Sequence, residues 1–473
     1  MLGKVAILTA WITADMSSDV RAVILSLGPL LLTFTFFVMG HGLIGTGTAI
    51  RLDLEGFSSD AIGIVGTTYA IGFMIGTLIV PKFIGQVGHI RVFAAFASLF
   101  VISALAQSLY VDTWLWALLR LVAGFSIAGI FTLVEGWINE STPNTVRGQV
   151  LAAYTVVNYF GISLGQGLIA VVDPAQSFMF LLTAFLVCAS VLPLMLVTIQ
   201  APTPIETERF ALRQLFKVSP LGCLAVMAAG VLNSVLANFV PVLGRTIDPD
   251  NAWIAQLMLA FILSGIVFQV PLGRLSDMFD RRIVLIACGA ATGVTGLIGL
   301  MIGIDGKVMA LVLIAMSGAL IPALYSIGVA HTTDFVDNWN MVAASAGLLM
   351  IYGIGTVIGP AIAGQLLLIT GIGPGIFLFV LVIGGGMAAF GTYRSTVRDT
   401  VDDEEKGQFQ AIRPTSTVAF EFDPRAEEDQ LTLDMGEAGE AYLTASAAGL
   451  ESIEYCGEAS VLGNTMVQQP EAT

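Results

Sequence analysis

The sequence predicts an all-α integral membrane protein in which twelve transmembrane helices form two pseudo-symmetric halves of six. Composition is the first observation behind this prediction: 56% of the residues are hydrophobic, 12% are charged and 51 are glycine, too few polar groups to cover a soluble protein. The second is an internal repeat of glycines and carboxylates at one constant offset. Gly124, Glu140, Gly161 and Gly165 are matched by Gly318, Asp334, Gly355 and Gly359.

The predicted spans are apolar runs near the roughly 20 residues that a helix needs to cross a bilayer. In the first half, segments one to six lie at 23–46, 60–80, 92–111, 114–138, 149–172 and 177–199. Segments seven to twelve lie at 220–243, 252–272, 283–303, 308–331, 341–369 and 374–393. The spans predict an amino-terminal six-helix bundle, residues 21–199, and a carboxy-terminal one, residues 220–393.

Basic residues in the loops predict the orientation, because Lys and Arg are retained on the cytoplasmic side of a membrane. The loops on one side hold Lys82, Arg91, Arg147, Arg209, Arg213, Lys217, Arg274, Arg281 and Arg282. The opposite loops hold Arg51, Arg245 and Lys307. We therefore expect a multi-pass protein of the plasma membrane, the bacterial inner membrane, with both termini cytoplasmic.

Three regions lie outside the predicted bundles. Residues 1–20 form an N-terminal extension that imitates a short signal peptide, and Met16 is an alternative start. Residues 200–219 form a cytoplasmic linker between the halves. Residues 394–473 carry 17 acidic and 5 basic residues, which predicts a disordered cytoplasmic tail, with a partner-binding segment as the alternative.

Cysteine and histidine give no sign of covalent chemistry. The 4 cysteines and 3 histidines stand singly in the sequence, and no disulfide framework, metal-ligand spacing or phosphate-binding glycine loop is present. We therefore expect a protein that is not an enzyme, holds no cofactor or metal, binds no nucleic acid, and lies in lipid as a monomer.

The loop between segments eight and nine carries the sharpest motif, GRLSDMFDRR at 273–282. Gly273 lets helices approach closely, Asp277 at a helix end can accept from a neighbouring helix N-terminus, and the paired arginines can bind carboxylates. The motif predicts a latch on one conformation, formed by Gly273, Asp277, Asp280, Arg281 and Arg282.

Segment eleven carries a second motif, GTVIGPAIAG at 355–364. Small residues at four-residue spacing permit tight helix packing, and a proline permits a bend. With the repeated glycines of segments four and five, the predicted packing residues are Gly124, Gly161, Gly165, Gly355, Gly359, Pro360 and Gly364.

These two motifs resemble the signature loop and the glycine-proline helix motif of the major facilitator superfamily. A third motif, Arg120 to Gly124 in segment four, resembles the arginine-to-glycine motif associated with proton-coupled members; an Arg120 that reaches the outer interface is the alternative. The first half departs from the family pattern, with Val80 in place of an aspartate and Gln166 in place of a proline. Together with the sequence at 135–148, these departures resemble the YcaD-like bacterial subgroup.

The resemblance implies a cavity between the halves, lined largely by segments one, four, seven and ten. Polar side chains within a membrane tend to face such a wet interior. The candidates for the substrate path are His41, Thr46, Arg120, Tyr154, Asn158, Asn233, Asn238, Tyr325 and Tyr352. For each of them, bridging two helices or marking the lipid interface is the alternative.

The repeat also suggests two related gating clusters of cytoplasmic charges. In the first, Glu135 and Glu140 face a basic residue, which can be Lys82, Arg91 or Arg147. In the second, Asp334 or Asp337 faces Arg281 and Arg282. Solvated surface charges are the alternative, since exposed ion pairs contribute only about 0 to 1 kcal/mol.

The sequence thus predicts a secondary active transporter of a small solute that works by alternating access. The middle of segment one has no acidic residue, which favours an anionic, zwitterionic or neutral substrate and disfavours a multidrug exporter of the same fold. Protons as the coupling ion remain an open alternative. A transporter-like sensor that signals through the acidic tail is the alternative from another class.

Overall fold

A computed structural model describes residues 18–196, 212–304, 306–336 and 341–396. All regular structure in this part of the chain is helical, and a short helix, Ser18–Ser26, comes first. The long helices of the first half are α1 (Gly28–Leu54), α2 (Ser59–Val87), α3 (His89–Leu109), α4 (Thr113–Glu140), α5 (Asn144–Leu168) and α6 (Phe178–Met195). After a second short helix, Leu212–Val218, come α7 (Pro220–Ile247), α8 (Asn251–Met278), α9 (Arg281–Ile302), α10 (Lys307–Thr333), α11 (Met341–Thr370) and α12 (Ile372–Ser395).

The predicted fold class is confirmed. Among the described residues, 11 helices are long and apolar enough to cross a membrane. The exception among the long helices is α5, which is more polar than the others because it contains residues such as Arg147, Asn158 and Gln166. The count of twelve spans therefore stays a prediction, although α5 occupies the position of segment five.

Side-chain caps fix where several helices begin. The carboxylate of Asp112 accepts a hydrogen bond from the Leu115 amide at 2.9 Å, at the start of α4. Asp250 accepts from the Ala252 amide at 3.0 Å and so caps α8. Such caps satisfy backbone donors that the first turn of a helix leaves free. At Gly88, φ is 89°, a left-handed conformation that permits the sharp reversal from α2 into α3.

Repeated glycines place the same helix pairs in contact in both halves. In the first half α4 packs on α2, because a Cβ at Gly124 would overlap the carbonyl oxygen of Tyr69. In the second half α10 packs on α8 in the same way, with Gly318 against the carbonyl oxygen of Phe261. The recurrence of Gly124 as Gly318 therefore reflects one helix contact used twice.

The second glycine pair joins α5 to α1 and α11 to α7. Gly165 packs against the backbone of Met39, and Gly355 against the backbone of Met227. Their neighbours one turn earlier and later continue both contacts, with Gly161 beside Val38 and Gly359 beside Ser234 and Val231. Small residues at four-residue spacing thus bring two backbones together on one helix face.

Pro360 and Gly364 make a different contact, one that crosses between the halves. A Cβ at Gly63 of α2 would overlap the carbonyl oxygen of Pro360 in α11. A Cβ at Gly364 would lie 2.8 Å from the carbonyl oxygen of Ser59. Because Ser59 begins α2, this contact lies at the end of the bundle that carries the α1–α2 and α7–α8 loops, which we call the Asp53 end. The opposite end is called the Arg281 end.

Gly124→Ala is expected to lower the free energy of unfolding by about 1–3 kcal/mol, because the added methyl group must displace the α2 backbone. Gly136→Ala in the same helix is the matched control, since a Cβ there meets nothing within 4 Å. That control should be neutral or slightly stabilising, because alanine is a better helix former than glycine. Thermal unfolding in detergent compares the two, and equal effects would contradict the packing role.

Candidate functional site

A cavity of about 300 Å³ lies between the two halves. Four helices of each half line it: α1, α2, α4 and α5 from the first, and α7, α8, α10 and α11 from the second. The predicted substrate-path residues that the structure brings to its wall are His41, Thr46, Arg120, Asn233, Asn238, Tyr325 and Tyr352. Most of the predicted path residues therefore share one cavity, although they are scattered over more than 300 positions of the chain.

Tyr154 and Asn158 do not line this cavity in the structure. Both side chains point into the packed interior of the first half, where Tyr154 is 3% and Asn158 is 0% exposed. The ring of Tyr154 lies 5.0 Å from that of Phe34, centroid to centroid. The reason is the rotation of α5: its glycine face, at Gly161, packs on α1 and carries the neighbouring polar positions inward.

Arg120 is buried in the cavity wall, with 5% of its surface exposed. Its guanidinium carbon lies 4.5 Å from the centroid of the Tyr69 ring, in cation–π contact. The Nε and Nη1 atoms of Arg120 have no hydrogen-bond partner in the described part of the chain. The structure thus differs from the alternative in which Arg120 reaches the lipid interface.

The motif from Arg120 to Gly124 explains this placement. The two residues are four positions apart and so lie on one face of α4. Gly124 admits the backbone of α2 at Tyr69, and the Tyr69 ring then reaches the guanidinium one turn away. The ring of His41 also lies parallel to Tyr69, with centroids 6.1 Å apart and an interplanar angle of 12°.

The second half presents neutral polar groups to the same cavity. The amide nitrogen of Asn238 donates to the carbonyl oxygen of Ser234 at 2.8 Å, which leaves its oxygen directed at Gly66 of the other half. The rings of Tyr325 and Tyr352 pack edge to face, 5.2 Å apart. This wall can donate and accept hydrogen bonds without adding charge.

Glu135 of α4 is a wholly buried carboxyl group, 0% exposed. The hydroxyl of Tyr154 donates to its Oε1 at 2.8 Å. Glu135 also lies close enough to the Tyr325 hydroxyl of the second half to act on it electrostatically. Lys82 and Arg91, two of its predicted partners, are exposed, and the pairing of Glu135 with a basic residue stays a prediction.

The other part of the first gating cluster is only partly described. Arg147 is half-buried, and its Nε donates to the carbonyl oxygen of Thr142 at 3.4 Å. The side chain of Glu140 and the whole of Asp337 lie outside the described residues. Their predicted pairings therefore stay predictions.

The second gating cluster forms around Arg281, which is buried. The Nη1 atom of Arg281 lies 2.7 Å from Oδ1 of Asp334, and the side chains of both residues are 3% exposed. The same nitrogen donates to the carbonyl oxygen of Ala330 at 2.9 Å, and Nη2 donates to Asp277 at 3.2 Å. This guanidinium therefore joins the ends of α8 and α10 to the start of α9.

The two aspartates of the 273–282 motif differ from expectation in what they contact. The residue that caps a helix N-terminus is Asp280, whose carboxylate accepts from the Arg282 amide at 2.9 Å, whereas Asp277 pairs with Arg281. A cap must directly precede its helix, and Asp280 directly precedes α9. Gly273 is buried in α8, and Arg282 is buried beside the start of α7.

At the Asp53 end, polar contacts join the halves directly. The Nε atom of Arg245, at the end of α7, lies 2.7 Å from Oδ2 of Asp53, at the end of α1. The hydroxyl of Thr67 in α2 donates to the carbonyl oxygen of Val357 in α11 at 3.3 Å. Together with the Gly63–Pro360 contact, these bonds join the two halves at this end.

A second ion pair at the same end stays within one half. Lys307, at the start of α10, binds Asp248 in the α7–α8 loop. The hydrogen bond from Lys307 lowers the pKa of the Asp248 carboxyl. Among the described residues, no group of three or more His, Cys, Asp or Glu side chains is placed to hold a metal ion.

The comparison with known families agrees with an architecture of two six-helix halves around one cavity. The sequence model described as Major Facilitator Superfamily matches residues 30–248 and 222–426, which together span most of the chain. The chain belongs to the Major Facilitator Superfamily. It is therefore a multi-pass membrane protein of a transporter family, as the motifs predicted.

Named relatives support membership of this superfamily. An "Uncharacterized MFS-type transporter" of Yersinia pestis (strain Pestoides F) is 29% identical over 360 residues, which cover 74% of this chain and 90% of the relative. "Uncharacterized MFS-type transporter YcaD" of Shigella flexneri serotype 5b (strain 8401) is 28% identical over 361 residues, with the same coverage of 74% and 90%. The resemblance to YcaD-like proteins is thus confirmed.

Solved structures of the superfamily share the fold. The nucleoside transporter NupG gives a TM-score of 0.64 at 14% identity, covering 78% of this chain and 98% of NupG. A D-xylose-proton symporter gives 0.62 at 14% identity, covering 78% of this chain and 97% of the symporter. At these identities the likeness concerns the fold.

Sequence reasoning missed three residues of this superfamily member that the structure makes prominent. Tyr69 was passed over because the family geometry directed attention to segments one, four, seven and ten, whereas α2 also lines the cavity. Sequence analysis counts Arg245 only as a loop charge and does not consider Asp53. The internal repeat contains a signal for this pair. The ends of α1 and α7 are equivalent positions in the two halves, and Arg245 lies two positions before the repeat equivalent of Asp53.

Proposed function

We propose that this protein is a secondary active transporter that moves a small solute through the central cavity by alternating access. The observation that carries the proposal is a cavity whose wall is shared by both halves, with direct contacts between the halves at the Asp53 end. Rocking two bundles about such a site exposes it to each side of the membrane in turn. The rocking bodies are then residues 21–199 and 220–393, joined by the linker at 200–219.

The basic loops supply the orientation for this proposal. Arg274, Arg281 and Arg282 lie at the Arg281 end, which is then cytoplasmic in the bacterial inner membrane, with both termini on that side. The Asp53 end then faces outward. The described conformation is accordingly the state closed toward the outside, and opening it requires that the Asp53–Arg245 pair and the α2–α11 contact separate.

Proton coupling through Glu135 is the second part of the proposal. Intramembrane carboxylates are costly and commonly mark proton relays. Glu135 is wholly buried, accepts a hydrogen bond from Tyr154 of its own half, and acts electrostatically on Tyr325 of the other half. A carboxyl group at the boundary between two moving halves changes its surroundings when they rock. It can therefore take up a proton in one state and release it in the other.

The Arg245–Asp53 pair tests alternating access without knowledge of the substrate. Arg245→Gln removes an ion pair that exists only while the Asp53 end is closed, so the open state should gain up to about fivefold in population, the equivalent of about 1 kcal/mol for a partly exposed pair. A cysteine placed at Ala237 of the cavity wall, in a background without the native cysteines, should then react correspondingly faster with an impermeant reagent added outside.

The matched control is Lys307→Gln. It removes the Lys307–Asp248 pair at the same end, but that pair lies within one half and is kept in both states. The control should leave the labelling rate unchanged. Equal rates for Arg245→Gln and the parent protein, or equal acceleration by Lys307→Gln, would contradict the proposed opening at this end.

A further inference from the structure

We propose that the cavity receives a small amphiphilic monoanion whose acidic group binds the guanidinium of Arg120. The inference rests on the proposed transport function and names the substrate class of that site. It follows from three properties of the cavity wall: its charge, the free hydrogen-bond donors of Arg120, and the apolar surface around them.

Charge is the first argument. The described residues that line the cavity include Arg120 and no aspartate or glutamate. Arg120 is 5% exposed, and a guanidinium remains protonated at any physiological pH. A buried charge without a counter-charge raises the free energy of the folded protein. Removing the partner of a buried ion pair is strongly destabilising for the same reason. Tyr69 attracts the guanidinium through its ring but brings no negative charge, so the missing counter-ion is best supplied by the solute.

The free donors of Arg120 are the second argument. Its Nε and Nη1 atoms lack a hydrogen-bond partner in the described part of the protein, although Arg120 belongs to the cavity wall. Acidic oxygens accept hydrogen bonds from an arginine singly or in pairs, and each paired edge of the guanidinium joins Nη2 to either Nε or Nη1. The Tyr69 ring lies 4.5 Å from the central carbon of the guanidinium and so holds this group at the cavity wall before an anion arrives. One guanidinium balances one negative charge, which favours a monoanion over a phosphate ester of nearly two charges.

The other residues of the cavity wall indicate the size and polarity of the rest of the solute. Around the cavity lie large apolar side chains, namely Phe73, Met74, Phe131, Met258 and Phe261. The neutral amides of Asn233 and Asn238 stand on the wall of the second half, where they can bind an uncharged polar group. A volume of about 300 Å³ is at the small end of ligand pockets, so the body should be no larger than a single ring or a short branched chain.

Three probes of similar size and different charge test the proposal: benzenesulfonate, benzenesulfonamide and benzamidinium. Thermal unfolding of the full chain in detergent is measured with each probe at about 10 mM, a concentration that reveals millimolar binding. We expect benzenesulfonate to raise the unfolding temperature and the neutral and cationic probes to raise it less. Arg120→Gln should weaken benzenesulfonate binding at least about tenfold, since a hydrogen bond to a charged group is lost.

The control variant is Arg213→Gln, which removes an exposed arginine of the short helix before α7 and should leave binding unchanged. Misfolding of Arg120→Gln is checked by its unfolding temperature without probe, which should equal or exceed that of the parent because an unpaired buried charge is gone. Equal stabilisation by all three probes, no preference for the anion at this concentration, or retained preference in Arg120→Gln would overturn the proposal.

Uptake into vesicles separates this inference from the proposed function. Benzenesulfonate stays charged, so its entry above the leak of protein-free vesicles reports transport. Anion binding that depends on Arg120 without any uptake would reject transport and keep the anion site. Uptake of benzamidinium that is insensitive to Arg120→Gln would keep transport and reject the anion site.

Discussion

Asp334→Asn is expected to lower the free energy of unfolding by about 3 kcal/mol, the largest stability change we predict for a single polar substitution. Arg281 and Asp334 have side chains that are 3% exposed, and both carboxylate oxygens lie within 2.8 Å of the same guanidinium nitrogen. Breaking such a pair leaves the remaining charge buried, which typically costs about 3–5 kcal/mol. The lower end applies here because Asp277, 3.2 Å away, still faces the guanidinium.

Asp277→Asn is the control for this prediction, because its side chain is 38% exposed although it contacts the same arginine. Its loss should cost about 0–1 kcal/mol, as expected for an exposed pair. The double variant Arg281→Gln with Asp334→Asn should be more stable than the sum of the single effects implies, since neither charge is then left alone. Equilibrium unfolding in detergent compares the parent protein, the three single variants and the double variant. If the stability losses of the Arg281→Gln and Asp334→Asn variants simply add in the double variant, the two side chains do not stabilise the protein by interacting with each other.

This ion pair also shows how far the sequence could predict the site. The repeat of Glu140 as Asp334 and the paired arginines at 281 and 282 were enough to predict a charge cluster at this end. Whether Asp277 or Asp280 caps α9 depends on where α8 ends and α9 begins. The two aspartates are only three positions apart. Helix ends are hard to locate from a sequence, so the cap is Asp280 and not Asp277 as expected.

The fold was predictable because it depends on long, repetitive signals. Apolar length fixes the helices, and small residues at four-residue spacing fix which faces meet, as Gly124 and Gly318 show. The rotation of a helix about its axis has no comparable signal when nearly every face is apolar. Tyr154 and Asn158 were therefore placed on the cavity side of α5, whereas both face the interior of the first half.

Contacts between side chains of different helices were the least predictable feature. Tyr69 reaches Arg120 only because Gly124 admits the α2 backbone, which is a property of two helices together. Asp53 and Arg245 meet across 192 positions, at two loops that sequence reasoning treats separately. The Asp53–Arg245 pair, on which opening of the Asp53 end would depend, therefore requires both halves in place.

Glu135→Gln is expected to abolish accumulation of the substrate against its gradient and to preserve its exchange. If one proton accompanies each solute, a gradient of about one pH unit can sustain about a tenfold solute gradient, because both correspond to about 1.4 kcal/mol. Glutamine keeps the size and the acceptor oxygen that Tyr154 contacts but carries no exchangeable charge. The solute ratio across vesicles should therefore fall from about ten to about one.

Exchange of labelled for unlabelled substrate separates a lost proton site from a damaged carrier. Exchange requires rocking of the halves but no net proton movement, so Glu135→Gln should retain it within about threefold, less than 1 kcal/mol of change. Tyr154→Phe is the matched control: it removes the 2.8 Å hydrogen bond and leaves the carboxyl group in place. Because the carboxyl can still gain and lose a proton, this variant should accumulate substrate. Full accumulation by Glu135→Gln would place the coupling elsewhere, and loss of both accumulation and exchange would assign Glu135 a role in holding α4 and α5 together.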